Sequence, residues 1–175
     1  KAAATAISDI AAMGGAARFV TATLACPSGT PVAWLDGLYE GIGAAVAAAE
    51  AVIIGGDVTG NPGGVLVDVG VLGEAAEGDY RLRSGAQRGD LLAVTGYPGR
   101  SAAGLAALGL EIDAPELIQA HLHPVPRLAE GRWLAAQGAV HAMIDVSDGV
   151  VQDAGHLAQA SGLAAEIALE QAPIA

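Results

Sequence analysis

The segment IDVSDG, residues 144–149, places two carboxylates and a hydroxyl within four positions, directly after an apolar run. Asp145 and Asp148 carry like charges at short spacing, and burying either one is costly unless a positive charge compensates. One interpretation is a solvated acidic turn that ends at Gly149. The other is a bound cation, and further acidic positions along the sequence favour it.

Two more aspartates stand beside predicted structural elements. Asp9 lies in SDIAAMGG, where it could simply cap or charge the start of a helix. Asp57 ends the run AVIIGGD, whose glycines form either a plain turn or a close backbone approach to a ligand. Ligands in α/β folds bind beyond the carboxyl ends of strands, and Mg²⁺ in phosphoryl-transfer sites is held by carboxylates plus substrate phosphates. The sequence therefore predicts an acidic site that binds a divalent cation.

Arg83, in RLRSGAQRGD, is the arginine best placed to bind an anion, because it lies beside a glycine-rich junction. It is either a surface charge or a fork of donors that clamps a phosphate. Other nucleotide and metal motifs are excluded. No G-x-x-x-x-G-K-[ST] loop occurs, and the position eleven residues after Asp145 is His156 rather than the glutamate of a calcium loop.

The charge and composition limit the partners. The formal net charge is −11 and Lys1 is the only lysine, so the chain would repel a nucleic acid backbone. No stretch resembles a membrane span or a secretion signal. Cys26 is the only cysteine, which fits a reducing compartment. We expect a cytoplasmic protein that binds neither nucleic acid nor membrane.

The hydrophobic pattern predicts a mixed α and β fold with helices and strands interspersed. Thr30 followed by Pro31 predicts the start of a long helix, with Thr30 as the N-cap residue and Pro31 as the first helical residue. The predicted helices cover residues 1–13, 31–50, 100–109, 114–122, 125–137 and 149–160. The predicted strands cover residues 18–26, 51–54, 64–73, a segment opening at Asp90, 139–145 and 164–169.

Glycines near residue 85 predict a boundary between two domains, residues 1–84 and 85–175. The first would carry Asp9 and Asp57, and the second Asp145 and Asp148. The last strand has no obvious partner within the sequence, so we expect the second domain to be incomplete and residues to be missing at both ends.

Five motifs in order resemble the thiamine-monophosphate kinases, which belong with aminoimidazole-ribonucleotide synthetase and selenophosphate synthetase in one superfamily. The motifs are SDIAAMGG, IIGGD, RSGAQRGD with VTGYPGRSAAGL, HPVPR and IDVSDG. The resemblance implies a two-domain α/β fold of the α+β type, whose N-terminal strands form a barrel in a homodimer. It implies that ATP phosphorylates thiamine monophosphate to thiamine diphosphate by direct in-line transfer.

The resemblance also implies roles for particular residues. Asp9, Asp57, Asp145 and Asp148 would bind Mg²⁺, while Gly56, Asp57, Arg83 and Ser147 would bind ATP. Of these, Asp57, Arg83, Asp145 and Asp148 would carry the catalysis.

One departure is Val58, which follows GGD where the family usually has threonine. Two alternatives stay open: another ATP-dependent enzyme of the superfamily, similar to selenophosphate synthetase, or a non-catalytic nucleotide-binding, metal-binding or dimerisation module. The family's first acidic motifs lie upstream of Lys1, and most of its acceptor-binding residues lie downstream of Ala175.

Overall fold

The computed structural model describes residues 1–168 and residue 170. The first part of the chain, residues 1–84, contains two helices and three strands, and the second part, residues 85–175, contains helices alone among the described residues. This agrees with the predicted α/β fold of the α+β type. The elements are α1 (Ala2–Ala12), β1 (Ala16–Cys26), α2 (Val32–Ala48), β2 (Val52–Gly60), β3 (Leu66–Glu74), α3 (Arg100–Gly109), α4 (Pro115–Leu122), α5 (Leu128–Ala135) and α6 (Val150–Ala160).

The three strands form one sheet in the order β2-β1-β3. β1 pairs in parallel with β2 and antiparallel with β3. Parallel neighbours need a crossover connection, and α2 supplies it between β1 and β2. β1 is therefore the central strand, and both of its edges are paired.

Helices α1 and α2 cover one face of this sheet. Side chains alternate along a strand, and on β1 the inward positions Val20, Ala22 and Leu24 are buried. They pack in a core to which α1 contributes Ile7 and α2 contributes Ile42 and Val46 among others. The core is built from small and aliphatic residues, as the low aromatic content requires.

The opposite face of the sheet is uncovered in the single chain, and we call it the open sheet face. One row crosses all three strands there, because Phe19 on β1 pairs with Val52 on β2 and with Leu72 on β3. These three side chains are 46%, 54% and 63% exposed. Apolar side chains this exposed mark a surface that another surface can cover.

The second part of the chain packs against the first through α5 and α1. A Cβ atom on Gly131 would lie 2.1 Å from the carbonyl oxygen of Ala11, so only glycine permits this approach. Arg81 adds a polar link. Its Nε donates to the Val140 carbonyl over 2.7 Å, and its Nη2 donates to the Gln137 carbonyl over 3.2 Å.

Three predicted strands of the second part are not formed among the described residues. No strand occurs at Asp90, at 139–145 or over 163–168, while Leu169 lies outside the described residues. A strand needs a ladder of backbone bonds to a neighbour. Residues 139–145 have the apolar pattern of a strand, but among the described residues they make a single backbone hydrogen bond to the segment around Leu82, from the Met143 N–H to the Leu82 carbonyl over 3.0 Å.

Two local predictions in the first part are also wrong. Thr30 does not cap α2, because its hydroxyl donates to the Pro27 carbonyl over 2.8 Å and Pro31 occupies the N-cap position. The strand predicted over residues 51–54 instead runs from Val52 to Gly60 and is exposed along its length. Parallel pairing with β1 extends to that residue and carries the strand through the glycines.

Helices that could cross a lipid bilayer do not occur in the described part of the chain.

Candidate functional site

Asp145 lies in a negatively charged environment. It is partly buried, and this burial is the main reason that its pKa is raised above the ordinary value. The carboxylate of Asp9 raises the pKa further, the Ser8 hydroxyl acts in the opposite direction, and Asp153 adds a smaller upward contribution. The structure thus brings together Asp9 and Asp145, which are 136 positions apart in the sequence by their residue numbers.

Helix α1 delivers Ser8 and Asp9 to this environment. Ile7 is fully buried in the core and fixes the helix against the sheet. Asp9 lies in the last turn of α1, not at its start, so it does not cap or charge a helix start. A carboxylate is disfavoured near the negative C-terminal end of a helix dipole. The position of Asp9 is therefore explained by something other than helix stability.

Asp148 belongs to a second acidic group at the start of α6. One ligand atom each from Asp148, Asp153 and His156 lies within 4.8 Å of the others, and no other group of three such side chains is this close among the described residues. Asp148 is exposed, whereas Asp153 is only 2% exposed. The Asp153 Oδ2 accepts the backbone N–H groups of Asp148 and Gly149 over 3.1 and 3.0 Å.

Asp57 lies on the sheet, within β2. Asp57 pairs with Thr23 of the central strand β1. On its other side, Thr23 pairs with Asp68 of β3, so an aspartate stands opposite Thr23 on each neighbouring strand. Asp57 and Asp68 are both exposed on the open sheet face. Gly56 precedes Asp57, and a Cβ there would lie 1.9 Å from the Ala22 carbonyl oxygen. The close approach of Gly56 is to β1 of the same sheet.

Arg83 and Ser147 are both exposed and lie in irregular segments. The backbone hydrogen bond from Met143 to Leu82 holds the two segments side by side. Leu82 directly precedes Arg83, and Met143 lies two residues before Asp145. The turn after Arg83 is tied to the end of α6, because the N–H groups of Gly85 and Ala86 donate to the Ser161 hydroxyl over 3.2 and 3.1 Å. The chain thus holds the Arg83 segment beside the one that carries Asp145.

The chemistry of these donors suits a hard divalent cation. Carboxylate and hydroxyl oxygens are the ligands that Mg²⁺ prefers, and crowded carboxylates gain most from a cation. The charged groups that shift the pKa of Asp145 are aspartates only. The residues around Asp145 therefore fit a cation, and a phosphate close to them would need that cation to offset the negative charge.

One surface cavity lies away from these residues. It has a volume of about 450 Å³, and it is lined by Gly14, Ala16, Glu74, Ala75, Ala76, Asp79, Arg132 and Ala136. None of the predicted site residues lines it.

The sequence reasoning did not single out Asp153 or Asp68. Asp153 could have been found as an acidic residue in the first turn of a predicted helix, where its carboxylate can reach back to free N–H groups. Asp68 could have been found as a charge at an outward position of an otherwise apolar strand. Both signals are local and common, so neither points to a site without the fold.

Comparison with known protein families gives two adjacent matches. The AIR synthase related protein, N-terminal domain, matches residues 1–75, and the AIR synthase related protein, C-terminal domain, matches residues 87–175. Together they account for nearly the whole chain.

Two curated relatives bear the name thiamine-monophosphate kinase. The protein from Salmonella typhimurium is 38% identical over 179 residues, which cover 99% of this chain and 54% of the relative. The protein from Mycobacterium tuberculosis is 42% identical over 157 residues, which cover 89% of this chain and 46% of the relative. The chain spans about half the length of the curated relatives it matches.

Solved structures of related proteins also superimpose on this chain. The thiamine-monophosphate kinase from Stenotrophomonas maltophilia superimposes with a TM-score of 0.88 at 31% identity, covering 98% of this chain and 56% of that protein. AaThiL complexed with AMPPCP and TMP superimposes with a TM-score of 0.82 at 32% identity, covering 89% of this chain and 50% of that protein. The hydrogenase maturation protein HypE from Escherichia coli, at 20% identity and a TM-score of 0.80, shares the fold.

Proposed function

Because the chain belongs to the AIR synthase related family, we propose that the protein of which it forms part is a thiamine-monophosphate kinase. It transfers the γ-phosphoryl group of ATP directly to thiamine monophosphate and forms thiamine diphosphate. The curated relatives at 38% and 42% identity carry this name, and AaThiL is complexed with AMPPCP, an ATP analogue, and TMP. The observation in this chain that carries the proposal is the convergence of Asp9 on Asp145.

The acidic residues bind magnesium in this proposal. Asp9 and Asp145 form one pair of ligands, Asp148 adds a ligand on the adjoining turn, and Asp57 contributes from the sheet. Mg²⁺ held by these carboxylates would neutralise charge on the phosphates of the nucleotide. Phosphoryl transfer needs little covalent help from a protein, so positioning and neutralisation account for most of the rate.

The remaining site residues orient the nucleotide. Arg83 is exposed and offers a fork of donors to a phosphate. Ser147 is also exposed, and it lies between Asp145 and Asp148 in the sequence. Gly56 keeps the backbone beside Asp57 free of a side chain. Arg83 is held near the acidic residues by the backbone bond between Leu82 and Met143, which supports its assignment to the same site.

We further propose that the protein is a homodimer that joins through the open sheet face. Exposed apolar side chains of β1, β2 and β3 form a row there, and their burial against a second copy would remove them from water. Asp57 and Asp68 lie on that face, so the second copy would cover the sheet part of the site.

The domain boundary and the location complete the proposal. A boundary near Gly85 is supported by the interval between the two family matches, residues 76–86. A cytoplasmic location is supported by the single cysteine, Cys26, which is buried and free.

Two other functions remain as outcomes of the test. The superfamily contains other ATP-dependent enzymes, similar to selenophosphate synthetase, and the chain could also act as a non-catalytic binding or dimerisation module. The test is ADP release from Mg-ATP by the full-length protein, with and without thiamine monophosphate. The proposal expects ADP release only with thiamine monophosphate, together with an equal yield of thiamine diphosphate. ADP release with another acceptor would favour a related enzyme, and nucleotide binding without ADP release would favour a binding module.

A further inference from the structure

Asp153 is the buried charged residue at the start of α6. Among the described residues, Asp153 is the one polar or charged side chain found in the buried class, at 2% exposure. A buried carboxylate is costly unless it is hydrogen-bonded or paired. Here it accepts two backbone N–H bonds, from Asp148 over 3.1 Å and from Gly149 over 3.0 Å. These bonds account for its burial.

The turn that Asp153 binds has a backbone conformation that needs support. Gly149 is the N-cap residue of α6 and adopts φ 121° and ψ 147°, a region that is essentially open to glycine alone. Both N–H groups donate to the same oxygen, Oδ2, so one atom fixes the peptide units on either side of the Asp148 Cα atom. The direction of the Asp148 side chain follows from this arrangement.

A second contact acts on Asp148 from the same helix. The Gln152 Nε2 donates to the Asp148 Oδ2 over 3.2 Å. Gln152 is exposed, whereas Asp153 is buried, so Asp153 is the firmer of the two supports. The Asp148 carboxylate is thus held at the surface by its backbone and its side chain together.

We propose that Asp153 is a positioning residue that holds Asp148 in the direction required to bind the magnesium ion of the nucleotide. This inference rests on the proposed function, because that function makes Asp148 a metal ligand. Residues behind a metal ligand typically change metal affinity or activity by about 10- to 100-fold when they are mutated.

The geometry favours this role over direct metal binding by Asp153. The carboxylate lies in the first turn of α6, where the positive end of the helix dipole attracts anions and repels cations. Its Oδ2 is already occupied by two backbone donors. The two roles also make opposite predictions for Asp153→Asn, which keeps an acceptor oxygen but loses the negative charge. A positioning role predicts that Mg²⁺-dependent binding is largely kept, and direct metal binding predicts that it is weakened.

The test compares variants of the full-length protein in their binding of a non-hydrolysable ATP analogue, measured by calorimetry across a range of Mg²⁺ concentrations. Asp153→Ala should raise the Mg²⁺ concentration for half-maximal binding by at least about tenfold. In Asp153→Asn this Mg²⁺ concentration should stay within about fivefold of the wild-type value, because the amide oxygen can still accept both backbone N–H groups, although the bonds are no longer charge-assisted. Asp113→Asn, which removes an exposed carboxylate between α3 and α4, is the charge-matched control and should leave binding unchanged.

The result that overturns the proposal is equal weakening by alanine and asparagine, or no weakening by alanine. If the alanine variant does not fold, as judged by its thermal transition, Asp153→Glu replaces it in the comparison. The glutamate keeps the charge but displaces the carboxylate oxygen from the two N–H groups. A positioning role therefore predicts that Asp153→Asn binds the ATP analogue more tightly than Asp153→Glu does. The opposite order would show that the charge of Asp153 matters and would overturn the proposal.

Hydrogen exchange separates this inference from the proposed function. Amide exchange over residues 146–151 is measured by mass spectrometry on the ligand-free proteins. It should be slow in the wild type and in Asp153→Asn, and faster in Asp153→Ala or Asp153→Glu. Wild-type protein that binds no nucleotide at any Mg²⁺ concentration would contradict the proposed function, and the exchange rates alone would then decide whether Asp153 holds the turn.

Discussion

The aspartates of the second part of the chain and those of the sheet differ in what supports them. Asp145 is partly buried beside Asp9, and the turn around Asp148 is tied by two backbone bonds to Asp153. Asp57 lies on an exposed strand, with Asp68 across the central strand. The first group is organised by its own chain, and the second lies on a face that its own chain leaves open.

Under the proposed function, the two parts of the site would be completed by different means. Around Asp145 the unfavourable features are the burial of its carboxylate and the neighbouring negative charge, and a bound cation relieves both. On the open sheet face the unfavourable feature is exposed apolar area, which a second protein surface relieves. A perturbation of one feature should therefore leave the other largely intact, and the predictions below use that independence.

The largest effect is expected from removing one carboxylate in each part of the site. Asp148→Asn and Asp57→Asn in the full-length protein should each lower turnover at least ~10²-fold, the loss expected when preorganised charge stabilisation is removed. Steady-state kinetics with thiamine monophosphate measures this, and Asp113→Asn is the charge-matched control. Near-normal turnover in both variants would refute the assignment, and a loss in one alone would show which aspartate group takes part.

A charge on the open sheet face should act on assembly instead. Leu72→Asp places a carboxylate in the apolar row, and we expect the dimer dissociation constant to rise at least ~100-fold, equivalent to ~2.7 kcal/mol. Leu91→Asp is the control, since Leu91 is 95% exposed and lies outside the sheet. Analytical ultracentrifugation measures both. A wild-type protein that stays monomeric, or a Leu72 variant that still dimerises normally, would contradict assembly through this face.

Much of the fold could be predicted from hydrophobic periodicity and from helix start signals. The helices at 100–109 and 149–160 were predicted within one residue of α3 and α6, because their apolar pattern and glycine boundaries are local signals. The strand at 139–145 was not formed, because a strand depends on a partner that the pattern of the segment itself does not report.

The sequence predicted which residues belong to the candidate site but not how they are arranged in space. Asp145 and Asp148 were found from their spacing, and Asp9 and Asp57 from recurring motifs. The proximity of Asp9 to Asp145 depends on how α1 packs, and the support from Asp153 depends on the turn at Gly149. Both are properties of the tertiary structure. The role of each residue in binding metal or ATP stays a prediction.

A smaller effect is expected on the stability of the metal-free protein. Because the pKa of Asp145 is raised in the folded state, the folded protein holds this proton at pH values where the unfolded chain has lost it. The associated stability is complete below the ordinary aspartate pKa and is lost as the pH rises through the raised value. Asp145→Asn should therefore raise the melting temperature at pH 7 relative to the wild type, and the difference should shrink as the pH falls.

Thermal unfolding in the presence of chelator, at several pH values, measures this effect. A lower melting temperature for Asp145→Asn at pH 7, or a difference that does not depend on pH, would show that crowded negative charge does not govern this residue. Leu72→Asp should not alter the pH dependence, because the open sheet face is a separate region.

The most direct test of the central claim is calorimetric binding of an ATP analogue to the full-length protein with Mg²⁺ and with EDTA. If negative charge in the acidic groups is relieved only by a cation, binding should be strong with Mg²⁺ and absent with EDTA. Binding of equal strength in EDTA would contradict the account.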